Sequence, residues 1–178
     1  MPDLTQRLDQ ERLRDWLSQQ RWYASKTRDV TGIEILEEAE LDGGLVLAFV
    51  QTTFATGTHD LYQVAVAFDE EAVAFDALAE GDHARTLLRL IEGGEVVLTA
   101  EGRFSFRHVG PVLGLGDEPD VRPIDREQSN SSIVFGDRLV LKVFRKLEAG
   151  INPELEMLRF LTGRGWPTVV VSNGLAER

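Results

Sequence analysis

The residues best suited to chemistry lie in one short stretch. Residues 127–146 read EQSNSSIVFGDRLVLKVFRK: a polar Ser/Asn run, an apolar segment, a turn, and a second apolar segment with a lysine inside it. If residues 138–144 form a strand, side-chain alternation puts Leu139, Leu141 and Val143 on one face. Val140, Lys142 and Phe144 then share the other. An ammonium set between two apolar neighbours needs an anion, because an unpaired buried charge is costly. Two kinds are available: a carboxylate of the following segment, Glu154 or Glu156, or the phosphate of a ligand. Protein-kinase-like enzymes use both, a strand lysine on the nucleotide phosphates and a helix glutamate that orients it. Gln128, Ser129, Asn130, Ser131 and Ser132 stand where such folds place the loop covering the phosphates. Small hydroxyl and amide side chains leave backbone N–H groups accessible and add donors of their own. The run is neither a glycine-rich G-x-G-x-x-G nor a Walker A loop. The plainer alternative is an edge-strand lysine whose stem snorkels to water, beside an ordinary polar loop.

The elements that must position these residues follow from periodicity. Residues 8–19 carry Leu8, Leu13, Trp16 and Leu17 at helical spacing. Three strand-like runs follow at 31–41, 44–54 and 59–68, joined through Asp42-Gly43-Gly44 and through a turn at Gly57. They predict an antiparallel meander. Residues 71–91 are expected to be helical, with Asp82 as N-cap of the last part, Leu87, Leu88 and Ile91 as its apolar stripe, and Gly93-Gly94 as its stop. Residues 95–109 predict a hairpin turning at Glu101-Gly102. The Gly-, Pro- and Asp-rich stretch after it marks a boundary between two units. Strand, Gly136-Asp137 turn and strand come next, then a helix from Asn152-Pro153 and a last short strand in WPTVVV. The predicted fold class is α+β: an antiparallel sheet with flanking helices over residues 1–112, a linker at 113–120, and a smaller unit over 121–178.

Composition removes several functions. The 178 residues carry a net charge of −11, which disfavours nucleic acid and anionic membrane surfaces. No apolar run approaches the length of a membrane span, and the N-terminal segment is too polar for a signal peptide. Without cysteine there is no disulfide framework and no thiolate metal site, as suits a reducing compartment. A soluble cytoplasmic protein is expected. His59, His83 and His108 show no ligand spacing, so no metal site is expected.

The wording of residues 127–161, EQSNSSIVFGDRLVLKVFRKLEAGINPELEMLRFL, resembles the start of the nucleotide lobe of actinobacterial maltokinases, sugar kinases with an aminoglycoside-phosphotransferase-like fold. QRWYASK at residues 20–26 looks like the opening motif of their N-terminal cap domain. The resemblance implies a maltokinase-type cap followed by an incomplete protein-kinase-like N-lobe. It implies that Gln128 to Ser132 cover the phosphates, that Lys142 contacts them, and that Glu156 pairs with Lys142. It implies ATP and Mg2+ as cofactors of a full-length parent. That parent would phosphorylate maltose to maltose 1-phosphate, in glycogen, α-glucan and trehalose metabolism. The catalytic His, Asp and Asn of such kinases belong to a C-lobe for which no counterpart is found here. No catalytic residue is therefore assigned, and the chain alone is expected to be inactive and to have no ATP or Mg2+ bound. Glucosamine or another aminosugar is the alternative substrate, and a non-catalytic stand-alone cap is the alternative class.

Of the remaining residues, Trp16, Trp22 and Tyr23 read as core rather than a sugar platform. Glu37, Glu38, Glu40 and Asp42 read as solvated strand and turn residues, and Asp69, Glu70, Glu71 and Asp76 as charged surface. Val140, Phe144 and Ile133 are expected to form an exposed apolar patch that drives homodimerisation.

Overall fold

The computed structural model describes residues 4–100, 102–109, 120–124, 129–164 and 170–172. Two helices open the chain, α1 (Leu4–Arg7) and α2 (Gln10–Gln19). Asp9 caps α2 by accepting from the Arg12 N–H at 2.9 Å. The meander follows as β1 (Val30–Glu40), β2 (Val46–Phe54) and β3 (His59–Phe68), antiparallel throughout. Gly43, Gly44 and Gly57 hold positive φ angles at its two turns, which glycine adopts without steric cost.

The expected helix at 71–91 forms only in its second part. The Asp69 carboxylate accepts from the Glu71 and Val73 N–H groups and turns the chain back. The next residues form β4 (Ala74–Asp76) on the open edge of β3. Helix α3 (Gly81–Gly93) then runs, with Glu80 and not Asp82 in the N-cap position, and ends on left-handed Gly94. Strands β5 (Val96–Leu98) and β6 (Arg103–Ser105) make the predicted hairpin, and β7 (Arg107–Val109) follows.

Strands β8 (Val121–Ile124), β9 (Asn130–Phe135) and β10 (Leu139–Phe144) form a three-stranded antiparallel sheet in the order β10-β9-β8. The chain bends at Arg145 and leaves this sheet. The next residues, β11 (Lys146–Leu147), pair with Tyr62 and Leu61 of β3. Helix α4 (Pro153–Gly163) is capped by the Asn152 side chain, which accepts from the Glu154 and Leu155 N–H groups. Strand β12 (Val170–Ser172) pairs with β7.

The meander is the middle layer of three. Val46, Ala48 and Val50 of β2, with Tyr62, Val64 and Val66 of β3, face Leu13, Trp16, Leu17, Trp22 and Tyr23. The alternate residues Leu45, Leu47, Phe49, Ala65 and Ala67 face Leu87, Leu88 and Ile91 of α3. Burial on both faces explains why β2 and β3 read as nearly continuous apolar runs while edge strand β1 alternates. Ile133, Phe135, Leu139, Leu141 and Val143 of the β9–β10 hairpin enter the same α3-side core. Of the expected linker at 113–120 only Asp120 is described; on either side of it the chain packs into one core.

The expected patch is corrected at Ile133. Antiparallel register sets it opposite Leu141, so it points inward and is buried. Val140 on the other face is exposed and Phe144 half-buried. Among the described residues no helix is long and apolar enough to cross a membrane.

Candidate functional site

Strand β10 presents Lys142 on its outward face, between exposed Val140 and half-buried Phe144. The ammonium lies 5.5 Å from the centre of the Phe144 ring. Its anion is Glu154: Lys142 Nζ donates to Oε1 at 3.1 Å and to Oε2 at 2.9 Å. The resemblance implied Glu156, and the geometry corrects this. The Asn152 cap starts α4 so that Glu154, in its first turn, reaches β10, while Glu156 is exposed. The two paired side chains remain 29% and 40% exposed, so the ion pair contributes at most about 1 kcal/mol to stability. Its consequence is positional. It holds a partly solvated ammonium at a defined point, with Nζ within reach of an incoming anion.

The Ser/Asn run divides between two faces. Ser132 stands opposite Lys142, Ser131 opposite Val143 and Asn130 opposite Phe144. Asn130, Ser131 and Ser132 therefore belong to β9 rather than to a loop. Ser129 is exposed just before the strand, and Gln128 lies outside the described residues. The Ser131 hydroxyl turns inward and accepts from Arg145 Nε at 2.8 Å. Ser132 shares the Lys142 side of the hairpin but is buried.

Sequence reasoning missed Arg145 and misjudged Asp76. Arg145 is fully buried, and its Nη2 donates to both Asp76 carboxylate oxygens at 2.7 Å. Its guanidinium carbon sits 4.6 Å from the Trp22 ring centre, and the Trp22 indole donates to Asp76 Oδ2 at 2.7 Å. Burial pulls the guanidinium below its usual pKa range against the opposing effect of Asp76. Its Nη1 is buried without a hydrogen-bond partner among the described residues. Asp76 is thus an internal anion and not charged surface. A weak signal existed: in a strand with inward Leu139, Leu141 and Val143, position 145 falls on the buried face.

A second polar cluster lies at the meander's edge. Asp60 accepts from the Ser25 hydroxyl at 2.7 Å and Arg28 at 3.1 Å, and pairs with Lys146 at 3.0 Å. Burial pushes the Asp60 carboxyl up, but Ser25, Lys146 and Arg28 outweigh it and hold it below the ordinary carboxylate range. Burial also pushes the Tyr62 phenol up to about 12, with the Ser25 hydroxyl 2.9 Å away. QRWYASK thereby acquires a structural meaning. Trp22 and Tyr23 are core, and Ser25 ties them to β3. Glu38, read as a solvated strand residue, accepts from the Leu4 N–H. Among the described residues no group of three or more His, Asp or Glu could hold a metal ion.

The fold and this geometry define an α+β protein: an antiparallel meander with helical layers, carrying a lysine-bearing hairpin on one side. Residues 16–86 match the family model of the maltokinase N-terminal cap domain. The match begins inside α2 and ends inside α3, spanning the whole meander. It supports the cap domain in that stretch and stops short of the Lys142 hairpin.

Proposed function

We propose that this chain joins the cap domain to the opening of the nucleotide lobe of a maltokinase-like sugar kinase, of the actinobacterial type. Lys142 contacts the nucleotide phosphates, and Ser129 and Asn130 border them. Glu154 orients Lys142, and Glu156 is left as a surface residue of α4. The observation carrying this reading is the Lys142–Glu154 pair at 2.9 Å. It joins the third strand of an antiparallel sheet to the helix that follows, the arrangement by which kinase-like enzymes hold a phosphate lysine. The cap match supports a maltokinase-like origin; in our reading the parent phosphorylates maltose at the anomeric position with ATP and Mg2+. None of the chain's described residues takes the role of a base or a metal ligand in this reading. In this reading the described residues supply phosphate contacts and not acid–base chemistry.

Nucleotide acyl-phosphate labelling tests the assignment, because such probes acylate a lysine lying beside bound phosphates. Lys26, Lys142 and Lys146 are the chain's lysines, so peptide mass spectrometry resolves them. Preferential labelling of Lys142, suppressed by excess magnesium-ATP, is the expected result. Equal labelling of Lys26 and Lys142, unaffected by ATP, would overturn it.

The second reading, a non-catalytic cap module, is favoured by the histidines. His83 is buried at the start of α3 and His59 lies exposed at the start of β3, neither placed as a catalytic loop requires. Failure of the labelling experiment would leave this reading.

A further inference from the structure

We propose that Arg145 is a positioning residue for Lys142, and that the Asp76–Arg145 pair is the device through which the cap sets the lysine's place. Its bearing on phosphate contact rests on the nucleotide reading above; the mechanical coupling does not.

Arg145 occupies the bend between β10 and β11, where the chain leaves the hairpin sheet and enters the cap sheet. Every described contact of its side chain fixes that bend from a different element. Asp76 belongs to β4 of the cap, Trp22 to the segment after α2, and Ser131 to β9. The backbone is held as well, since the Arg145 carbonyl accepts from the Gln63 N–H of β3 at 2.7 Å. Lys142 lies three residues upstream, on β10. Its partner Glu154 sits on a helix with no fully buried residue, so α4 is a weak reference for the lysine's position. The rigid reference is the cap. A guanidinium buried to zero exposure, with one nitrogen that has no hydrogen-bond partner among the described residues, is an expensive way to close a core. Well-packed apolar side chains would stabilise such a site equally well. What the ion pair adds is direction. Asp76 is itself oriented by the Trp22 indole, so the guanidinium has one seat, and the end of β10 takes its register from it.

The test reads Lys142 directly and needs no nucleotide. The whole chain is treated with a small amine-acylating reagent at a temperature where far-UV circular dichroism is native. The rates at Lys142 and exposed Lys26 are compared by peptide mass spectrometry. Glu154→Gln sets the benchmark for a Lys142 that has lost its carboxylate partner on α4. Asp76→Asn is expected to raise the Lys142:Lys26 ratio severalfold toward that benchmark with the dichroism unchanged, and Asp76→Glu to restore much of the original ratio. A folded Asp76→Asn chain with an unchanged ratio overturns the proposal. Should Asp76→Asn fail to fold, Trp22→Phe removes the indole donor to Asp76 along with part of the ring beside Arg145, and Ser131→Ala removes only the acceptor of Arg145 Nε. A raised ratio in either supports the coupling, and an unchanged ratio in both overturns it. Acyl-phosphate labelling is scored separately, so a coupled lysine that binds no nucleotide sinks the kinase reading alone.

Discussion

Arg145 and Asp76, 69 positions apart in the chain, meet with Nη2 at 2.7 Å from both carboxylate oxygens in a site without solvent exposure on the arginine. This contact joins the stretch that matches the maltokinase cap to the strand that carries Lys142. It carries a definite energetic expectation. Removing one partner of a buried pair leaves the other charge uncompensated, so Asp76→Ala or Arg145→Met should each cost about 3–5 kcal/mol. The double variant should cost less than the sum of the two. Urea unfolding of the four chains measures this. Strict additivity would mean that the two side chains do not stabilise one another.

The Asp60 cluster predicts how stability depends on pH. The folded Asp60 carboxyl lies below its unfolded value, so the native state binds fewer protons than the unfolded chain in the acid range. Its contribution is complete above the unfolded value of about 4 and is lost as pH falls through the folded one. Tyr62 has the opposite sign. Its folded pKa of about 12 lies above the unfolded one, so its contribution is complete below the unfolded value and lost as pH rises toward the folded one. Thermal midpoints measured across pH should therefore fall on both sides of neutrality. Asp60→Asn should be less stable than the parent at neutral pH, with the gap closing in acid; a gap independent of pH would contradict the assignment.

Much of the architecture was legible in the residues. The meander, its glycine turns, the Asn152 cap and the Lys142 strand all rest on local signals: alternation, left-handed turn positions and N-cap chemistry. The failures share one cause, a tertiary partner invisible to local pattern. Residues 74–76 form a strand because β3 has an open edge. Ile133 turns inward because register sets it against Leu141. Glu154 rather than Glu156 reaches Lys142 because of the way α4 is set against β10. Asp76 and Arg145 were unreadable as a pair across so many intervening residues: Asp76 reads as charged surface, and Arg145 is missed although alternation puts position 145 on the buried face.

Helix α4 should be the least stable element near the site, since it buries no residue fully. Asn152→Ala removes the acceptor for the Glu154 and Leu155 N–H groups and should cost about 1 kcal/mol locally. Hydrogen exchange should quicken in residues 153–163 and leave β2 and β3 protected. Uniform acceleration across the chain would show that α4 does not open independently.

Val140 is 52% exposed beside Lys142, and Met157 and Phe160 of α4 are exposed at 56% and 55%. From this apolar surface we expect self-association, seen as a mass that rises with concentration in light scattering. Val140→Lys should weaken it. A mass fixed at that of one chain at every concentration would contradict the expectation.

The most direct test of the central claim, that Lys142 faces nucleotide phosphates, is a magnesium-ATP titration of the isotopically labelled chain followed by nuclear magnetic resonance. A complex tight enough for calorimetry is not expected from this chain alone. At millimolar nucleotide, shifts should gather on residues 129–132 and on Lys142, and disappear in Lys142→Ala. Shifts scattered over the surface, or unchanged by that substitution, would contradict the account.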